Sequence, residues 1–413
     1  MKKVDVVIIG GGAAGMASAI SCFDNGVKDI LILEKDDHLG GILNQCIHNG
    51  FGIHEFKEEL TGPEYMHRFI DQIHKKGIEY KLNTMVTNVT KDKIVSFTNK
   101  EDGFVRIQAG AIVVASGSYE RTAGQIRLEG DRPNGVITAG LAQKYLNIHG
   151  YLVGKRVVIL GSGDIGLIMA RRMTLEGAKV LGVVEINPIP SGLNRNIAQC
   201  LNDFDIPSYL SHTVKKVVGK NNVEQVIIQK VDENYQFIDN TEIVFDCDTL
   251  LLSVGLIPYI PLLTNLNCPI GVNKGPLVSE DMETMLDGFF VSGNALHVHD
   301  VVDYVTSESR IAGKNAARYV LNKEEKQLSE IVYDENISYV IPQLINKKLN
   351  DDLDIKFRVK KVINNAFIEI YHNDKLVHKE FHLSLIPSEM IFITLKKDKV
   401  LNGSNLEIKI KVR

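Results

Sequence analysis

Two glycine-rich hexads in this chain stand behind apolar runs, and each has the spacing of a phosphate cradle. Gly10-Gly11-Gly12-Ala13-Ala14-Gly15 follows Val4-Asp5-Val6-Val7-Ile8-Ile9. Gly161-Ser162-Gly163-Asp164-Ile165-Gly166 follows Arg156-Val157-Val158-Ile159-Leu160. Each run predicts a buried parallel strand, and each hexad predicts a helix start. The first glycine permits a tight turn, and the second lets backbone approach a pyrophosphate. The third lets helix and strand pack, while the helix N-terminus offers N–H groups and a positive dipole end. A second strand follows in both units and ends in an acid, Glu34 or Glu185. The acid stands 22 residues beyond the middle glycine both times (12 to 34, 163 to 185). A carboxylate there accepts from ribose hydroxyls and repels a 2′-phosphate. The competing reading is a pair of ordinary glycine turns, and the ordered repeat of strand, hexad, helix, strand and acid weighs against it.

Other residue types signal less. His297-Val298-His299-Asp300 invites a metal, but two histidines two apart share a face only on a strand. Here they fall between a strand and a helix, so no metal is expected. The five cysteines, Cys22, Cys46, Cys200, Cys247 and Cys268, include no C-x-x-C pair. Neither a zinc site nor a local redox dithiol is signalled.

The elements that must hold the hexads follow. Residues 1–36 form a first βαβ unit, with Asn25-Gly26 closing its helix. A helix is predicted over 61–76, with Pro63 near its start and Gly77 after its end. Short alternating runs over 78–107 predict an antiparallel meander. Ala111-Ile112-Val113-Val114-Ala115 then ends at Ser116-Gly117, and Thr249 to Val254 ends likewise at Gly255. Phe289-Phe290-Val291-Ser292 leads into Gly293-Asn294, followed by a helix with Ala312, Gly313, Ala316 and Ala317. Beyond residue 335 the texture changes, with strands at 355–361, 366–372 and 405–412 and no helical period.

The expected fold class is α/β, with two nested Rossmann-like dinucleotide-binding domains and a small C-terminal antiparallel β-sandwich. The boundaries are 1–120 with 255–330, then 121–254, then 335–413. A length of 413 residues suits two or three domains. Apolar residues make up 44% and charged residues 24%, as in ordinary globular chains. A net charge of −4 without a basic stretch gives no sign of nucleic acid. No apolar stretch is long enough to span a membrane. Asp5 interrupts the first apolar run, which leads straight into the hexad, so it is a strand and not a secretion signal. The expected compartment is the cytoplasm.

Two dinucleotide units, one inside the other, resemble the flavoprotein disulfide reductase superfamily. The resemblance covers about residues 1–325. It implies FAD on the first unit, at Gly10, Gly12, Ala13, Ala14, Gly15, Glu34, Lys35, Gly41, Ala115, Ser116, Gly117, Arg121, Gly293 and Asn294. Ser116 stands for the family's threonine, and Asn294 for an aspartate that holds the ribityl chain. NAD(H) is implied on the second unit, at Gly161, Gly163, Asp164, Ile165, Gly166, Glu185 and Gly255. Glu185, with no arginine in Ile186-Asn187-Pro188, favours NADH over NADPH. The segment after Gly293-Asn294 approaches the flavin pyrimidine edge in this family, where a helix N-terminus favours the anionic reduced ring.

The departures bear on chemistry. Disulfide reductases need a cysteine pair, and Gly40-Gly41-Ile42-Leu43-Asn44-Gln45-Cys46 offers one cysteine, at neither usual position. That stretch, continuing to His48 and Gly52, looks like a branch found with anaerobic glycerol-3-phosphate dehydrogenase-like subunits. It is similar more distantly to subunits of opine oxidase, hydrogen cyanide synthase and sarcosine oxidase. The branch implies partner oxidoreductase subunits carrying an iron–sulfur cluster and a second flavin. Cys46 and His48 are the candidate catalytic residues. Cys46 could be a sulfenate or thiolate beside the flavin, against a small packing residue. His48 could relay a proton, against a structural histidine. Arg121 could contact flavin phosphate or stand at a solvated hinge.

Three functions compete. One is hydride transfer between NAD(H) and FAD in a dehydrogenase complex oxidising glycerol 3-phosphate or an amine. The second is a stand-alone NADH oxidase or peroxidase using Cys46, and the third a non-catalytic nucleotide-binding scaffold. The C-terminal sandwich is expected to dock a partner and to leave cofactor binding to the rest of the chain.

Overall fold

The computed structural model describes residues 1–400 and 405–413. The chain divides into two compact units, Met1–Ser118 with Ile257–Arg413, and Tyr119–Leu256. Both are mixed α/β.

In the first unit, Lys2–Ile9 runs parallel to Ile30–Leu33 on one side and Gly103–Val114 on the other. Glu79–Lys81 and Phe289–Val291 extend the parallel part. Ile9 lies level with Leu33 and Val114, and Val114 with Val291, so these strands end together beneath the first hexad. Val6, Val7 and Ile8 are fully buried because helices cover the sheet, which is why the run is continuously apolar. The expected meander is Met85–Val89, Ile94–Asn99 and the start of Gly103–Val114. Gly103–Val114 is one long strand that pairs antiparallel at one edge and parallel at the other.

Local signals set the helix ends. Helix Gly62–Lys76 begins at Thr61, whose hydroxyl accepts from the Glu64 N–H, and Gly77 ends it at φ 64°. Helix Ala13–Asp24 ends at Asn25. It packs on the long helix Val302–Leu321, where a Cβ on Gly313 would lie 2.2 Å from the Ser18 carbonyl oxygen. The small residues around Gly313 therefore serve a close helix crossing.

The C-terminal strands belong to the same unit. One sheet orders Leu344–Asn346, Leu328–Tyr333, Leu406–Val412, Ile363–His372 and Lys375–Leu385. Another orders Ile337–Ile341, Leu353–Val359 and Ile391–Leu395. Ile337, Phe357, Ile368 and Ile408 from the two sheets share one apolar cluster. The strands begin at Leu328, earlier than the change of texture indicated. Pairing also departs from the antiparallel arrangement expected, because Ile331 to Tyr333 run parallel to Leu406 to Ile408.

The second unit holds a parallel sheet ordered Val136–Thr138, Thr249–Leu252, Arg156–Leu160, Lys179–Glu185 and Ser208–Leu210. Val157, Ile159 and Val183 face one apolar cluster, and Val158, Leu160 and Val184 face another. A three-stranded ribbon, His212–Val218, Gln225–Lys230 and Ile243–Asp246, completes the unit. Its short strands carry no pattern that singled them out in the sequence.

Candidate functional site

Both hexads form the same cradle. Gly10 and Gly161 turn the chain at φ 108° and 98°. A Cβ there would lie 2.5 Å from the Ala115 oxygen and 2.0 Å from the Ser253 oxygen. A Cβ on Gly15 or Gly166 would lie 1.8 or 2.6 Å from the oxygen of the first glycine, so helix and strand touch as backbone. The middle glycines differ. A Cβ on Gly12 meets nothing closer than Gly41 Cα at 3.9 Å, and on Gly163 nothing closer than Ser253 Oγ at 3.7 Å. Space above the backbone is therefore kept open at the one position where a pyrophosphate must approach. Helices Ala13–Asp24 and Asp164–Leu175 also lack a side-chain cap, unlike the fully capped Gly62–Lys76. Their first-turn N–H groups remain for an anion. The cradles fit FAD and NAD(H).

The two acids are held differently. Glu34, buried, accepts from the Gly11 N–H at 2.6 Å and the Asp36 N–H at 2.8 Å. Glu185, buried, accepts from Ser162 N–H and Oγ, Asn187 N–H and Nδ2, and Ser191 Oγ, all within 3.0 Å. A carboxylate offers about four lone-pair positions. Glu34 can thus add a ribose hydroxyl, whereas at Glu185 a ribose must displace a serine donor. Leu193 N–H and Asn196 Nδ2 donate to Asp164, so the segment after Glu185 closes back on the second hexad. Ile165 follows Asp164 in the first turn of that helix.

The other residues expected at the cofactors fall as follows. Ala14 is buried beside Ala13 in the first turn of its helix. Ser116 Oγ donates to the Tyr259 oxygen at 2.5 Å, and Gly117 accepts the Tyr259 N–H at 2.9 Å. Gly41 lies against the first hexad, where a Cβ would stand 3.2 Å from Gly12 Cα. Lys35 reaches Asp36 at 3.1 Å on the surface. Arg121 belongs to the second unit, where its N–H donates to the Gly255 oxygen at 3.1 Å.

Cys46 ends a short 3-10 turn, Gly41–Gln45, and its Sγ donates to the Ile42 oxygen at 3.4 Å. Burial pushes this thiol up to about 12. His48 packs its ring against Phe51 at 5.0 Å. Asp303, in the first turn of the long helix, accepts N–H groups from Gly52, His54 and Glu55 and so fixes this segment.

The turn after Gly293 carries the most concentrated buried charge. Asn294 Oδ1 accepts the His299 N–H at 3.1 Å. Glu308 is wholly buried. One of its oxygens accepts the Gly293 N–H at 3.0 Å, and the other meets His297 Nε2 at 2.9 Å, His299 Nε2 at 3.3 Å and Lys356 Nζ at 2.6 Å. Burial would raise the Glu308 carboxyl, but the Lys356 ammonium and the imidazoles outweigh it and hold it well below its usual range. Burial, with His299 beside it, pushes His297 down to about 3 against the pull of Glu308. His297, His299 and Glu308 offer ligand atoms within 4.8 Å of one another, close enough for a metal. Lys356 already neutralises the one anion there, so an added dication would meet uncompensated repulsion. Sequence reasoning missed Glu308, Lys356 and Arg358.

Lys356 and Arg358 bring the C-terminal strands against the turn after Gly293. They sit two apart on strand Leu353–Val359 and face one side. Arg358 pairs with Asp300 and donates to the Val298 oxygen at 3.3 Å. Two basic residues alternating along a strand carry no local mark of burial.

Comparison with known proteins agrees with this geometry. The sequence profile described as pyridine nucleotide-disulphide oxidoreductase matches residues 4–317. The chain is 26% identical over 340 residues to an NADH oxidase of Methanocaldococcus jannaschii, covering 75% of this chain and 69% of that one. It is 22% identical to one of the opine oxidase subunits of Agrobacterium tumefaciens, covering 70% of this chain and 61% of that one. It spans about two thirds of the length of these relatives. A thioredoxin reductase structure from T. acidophilum superposes with a TM-score of 0.64 at 20% identity, covering 78% of this chain and all of that one. Among the described residues, no helix is long and apolar enough to cross a membrane.

Proposed function

The chain belongs to the pyridine nucleotide-disulphide oxidoreductase family, and from that premise we propose that it passes hydride between NAD(H) and FAD within a larger dehydrogenase complex. Its partner subunits, carrying an iron–sulfur cluster and a second flavin, oxidise a substrate such as glycerol 3-phosphate or an amine. The carrying observation is the doubled cradle, with open space at Gly12 and Gly163 and crowding at the flanking glycines. Bound FAD supplies a two-electron acceptor for the hydride that NADH carries. Gly10, Gly12, Gly15 and Glu34 bind the first dinucleotide, with Gly41, Ala115 to Gly117 and the Gly293-Asn294 turn around it. Gly161, Gly163, Gly166 and Glu185 bind the second. Hydride transfer asks these residues to orient both dinucleotides and needs no acid or base from the chain.

Two observations weigh against the rival readings. Membership of an oxidoreductase family, with an NADH oxidase among its relatives, opposes a non-catalytic scaffold. A Cys46 thiol pushed up to about 12 is a poor peroxidatic nucleophile. The opine oxidase relative is named as part of a multi-subunit enzyme, which supports a complex.

Purified protein tests the proposal. It should be yellow and should bleach anaerobically with NADH, at least roughly tenfold more efficiently than with NADPH, since a buried carboxylate repels the 2′-phosphate. Re-oxidation by oxygen or peroxide should be slow, and oxidoreductase subunits should co-purify. Rapid re-oxidation by peroxide without a partner, lost in Cys46→Ser, would replace this reading by the peroxidase one.

A further inference from the structure

Glu308 ties both ends of the Gly293–His299 turn together from inside the protein. Its carboxylate takes one backbone N–H and both imidazoles, and among the described residues the full positive charge touching it is Lys356 at 2.6 Å. Lys356 is 2% exposed and comes from strand Leu353–Val359, in the C-terminal sheets. The His297 and His299 Nδ1 atoms are buried without a hydrogen-bond partner, so among the described residues the ring hydrogen bonds of both imidazoles go to Glu308. Tyr339 and Arg358 close the cluster from the same sheet, and Arg358 meets Asp300 at the end of the turn. A buried carboxylate stripped of its cation takes up a proton or loses its place, because an unpaired charge is costly in a low dielectric.

We propose that Lys356 is a positioning residue of the flavin site: it keeps Glu308 anionic and in place, and Glu308 holds the turn that the functional reading sets against the flavin. The inference rests on that reading. It makes the C-terminal sheets a working part of the redox centre. The Lys356–Glu308 pair is also charge-neutral, so neither partner alone biases the electron affinity of a neighbouring flavin. Removing the lysine leaves a negative charge at pH 9, where the carboxyl is ionised, and makes reduction harder there; at pH 6 the carboxyl takes up a proton and the shift shrinks. Removing the carboxylate leaves a positive charge and makes it easier.

The test uses the full-length FAD-loaded protein, with FAD content per chain and the flavin midpoint potential read by spectroscopic redox titration at pH 6 and pH 9. Lys356→Met should lower the reduced-to-oxidised ratio at fixed potential about tenfold at pH 9, equal to roughly 30 mV for a two-electron couple. Glu308→Gln should move it the opposite way. The double variant Lys356→Met with Glu308→Gln should return toward wild type, and Lys356→Arg should stay close to it. Shifts of the same sign in both single variants, or unchanged potentials throughout, overturn the proposal. If Lys356→Met fails to fold, Glu308→Gln against the double variant still decides, because only charge pairing predicts recovery in the double. Asn294→Ala separates the two levels of the argument. If it changes FAD content or potential while the charge series does not, the role of Lys356 fails alone. If neither responds, the placement of the turn at the flavin fails.

Discussion

Gly12→Val should give a folded but colourless protein. Gly12 has φ −79° and ψ −168°, extended backbone that any residue adopts, and its Cβ position is clear to 3.9 Å. The fold without cofactor should therefore change by no more than about 0.5 kcal/mol, as at an unconstrained site. The two γ carbons of valine, however, fill the space kept above the helix N-terminus. A ligand at a hundredfold excess over Kd stabilises by about 2.7 kcal/mol. At roughly 2–4 °C per kcal/mol for a domain of this size, wild-type apoprotein should gain on the order of 5–10 °C in Tm with FAD. Gly12→Val should gain none and show no flavin absorbance. Gly15→Ala is the contrast, because its Cβ would stand 1.8 Å from the Gly10 oxygen. That variant should lose native structure even before FAD is added. Differential scanning fluorimetry with and without FAD, read beside the visible spectrum, makes the comparison. A yellow Gly12→Val with the wild-type Tm gain would refute the reasoning, as would a Gly12→Val that unfolds while Gly15→Ala stays native.

Three further outcomes follow from the same geometry. With its thiol pushed up to about 12, Cys46 should be only about 1 in 10,000 ionised at pH 8. Cys46→Ser should keep NADH reduction of the flavin, and thiol counts before and after reduction should match; two extra thiols would reveal a redox disulfide. Deleting residues 335–413 removes Lys356 from Glu308, and breaking a buried pair costs about 3–5 kcal/mol. The truncated chain should be poorly folded or FAD-deficient, and a stable yellow truncation would show the strands to be dispensable. His297 titrates near 3 when folded against 6.5 when unfolded, so between these values the unfolded chain binds the extra proton. Stability should fall as pH drops from 6.5 toward 3, by about 1.4 kcal/mol per pH unit for one proton. The window above 4.5 excludes the further loss from the depressed Glu308. Urea midpoints at pH 6.5, 5.5 and 4.5 should show this slope flattened in His297→Asn.

The sequence alone determined the features whose physics is local. The hexads, their strands and the acids at 34 and 185 lie within a few dozen residues of one another, so the glycine turns and the strand-end acids are written in the spacing. Helix Gly62–Lys76 was legible because its capping residues touch it directly. The tertiary structure decided what depends on distant partners. Gly103–Val114 read as two elements because parallel or antiparallel pairing belongs to the neighbour and leaves no mark in the strand. The same holds for the parallel pairing of Leu328–Tyr333 with Leu406–Val412. Glu185 was read correctly as a strand-end acid, but its five protein donors depend on how the 187–191 segment folds back. The cluster at residue 308 was invisible for the strongest reason. Its charges come from a helix face and from a strand 48 residues later, each resembling a solvated position. Only burial, which the whole fold imposes, turns that glutamate and that lysine into an obligatory pair.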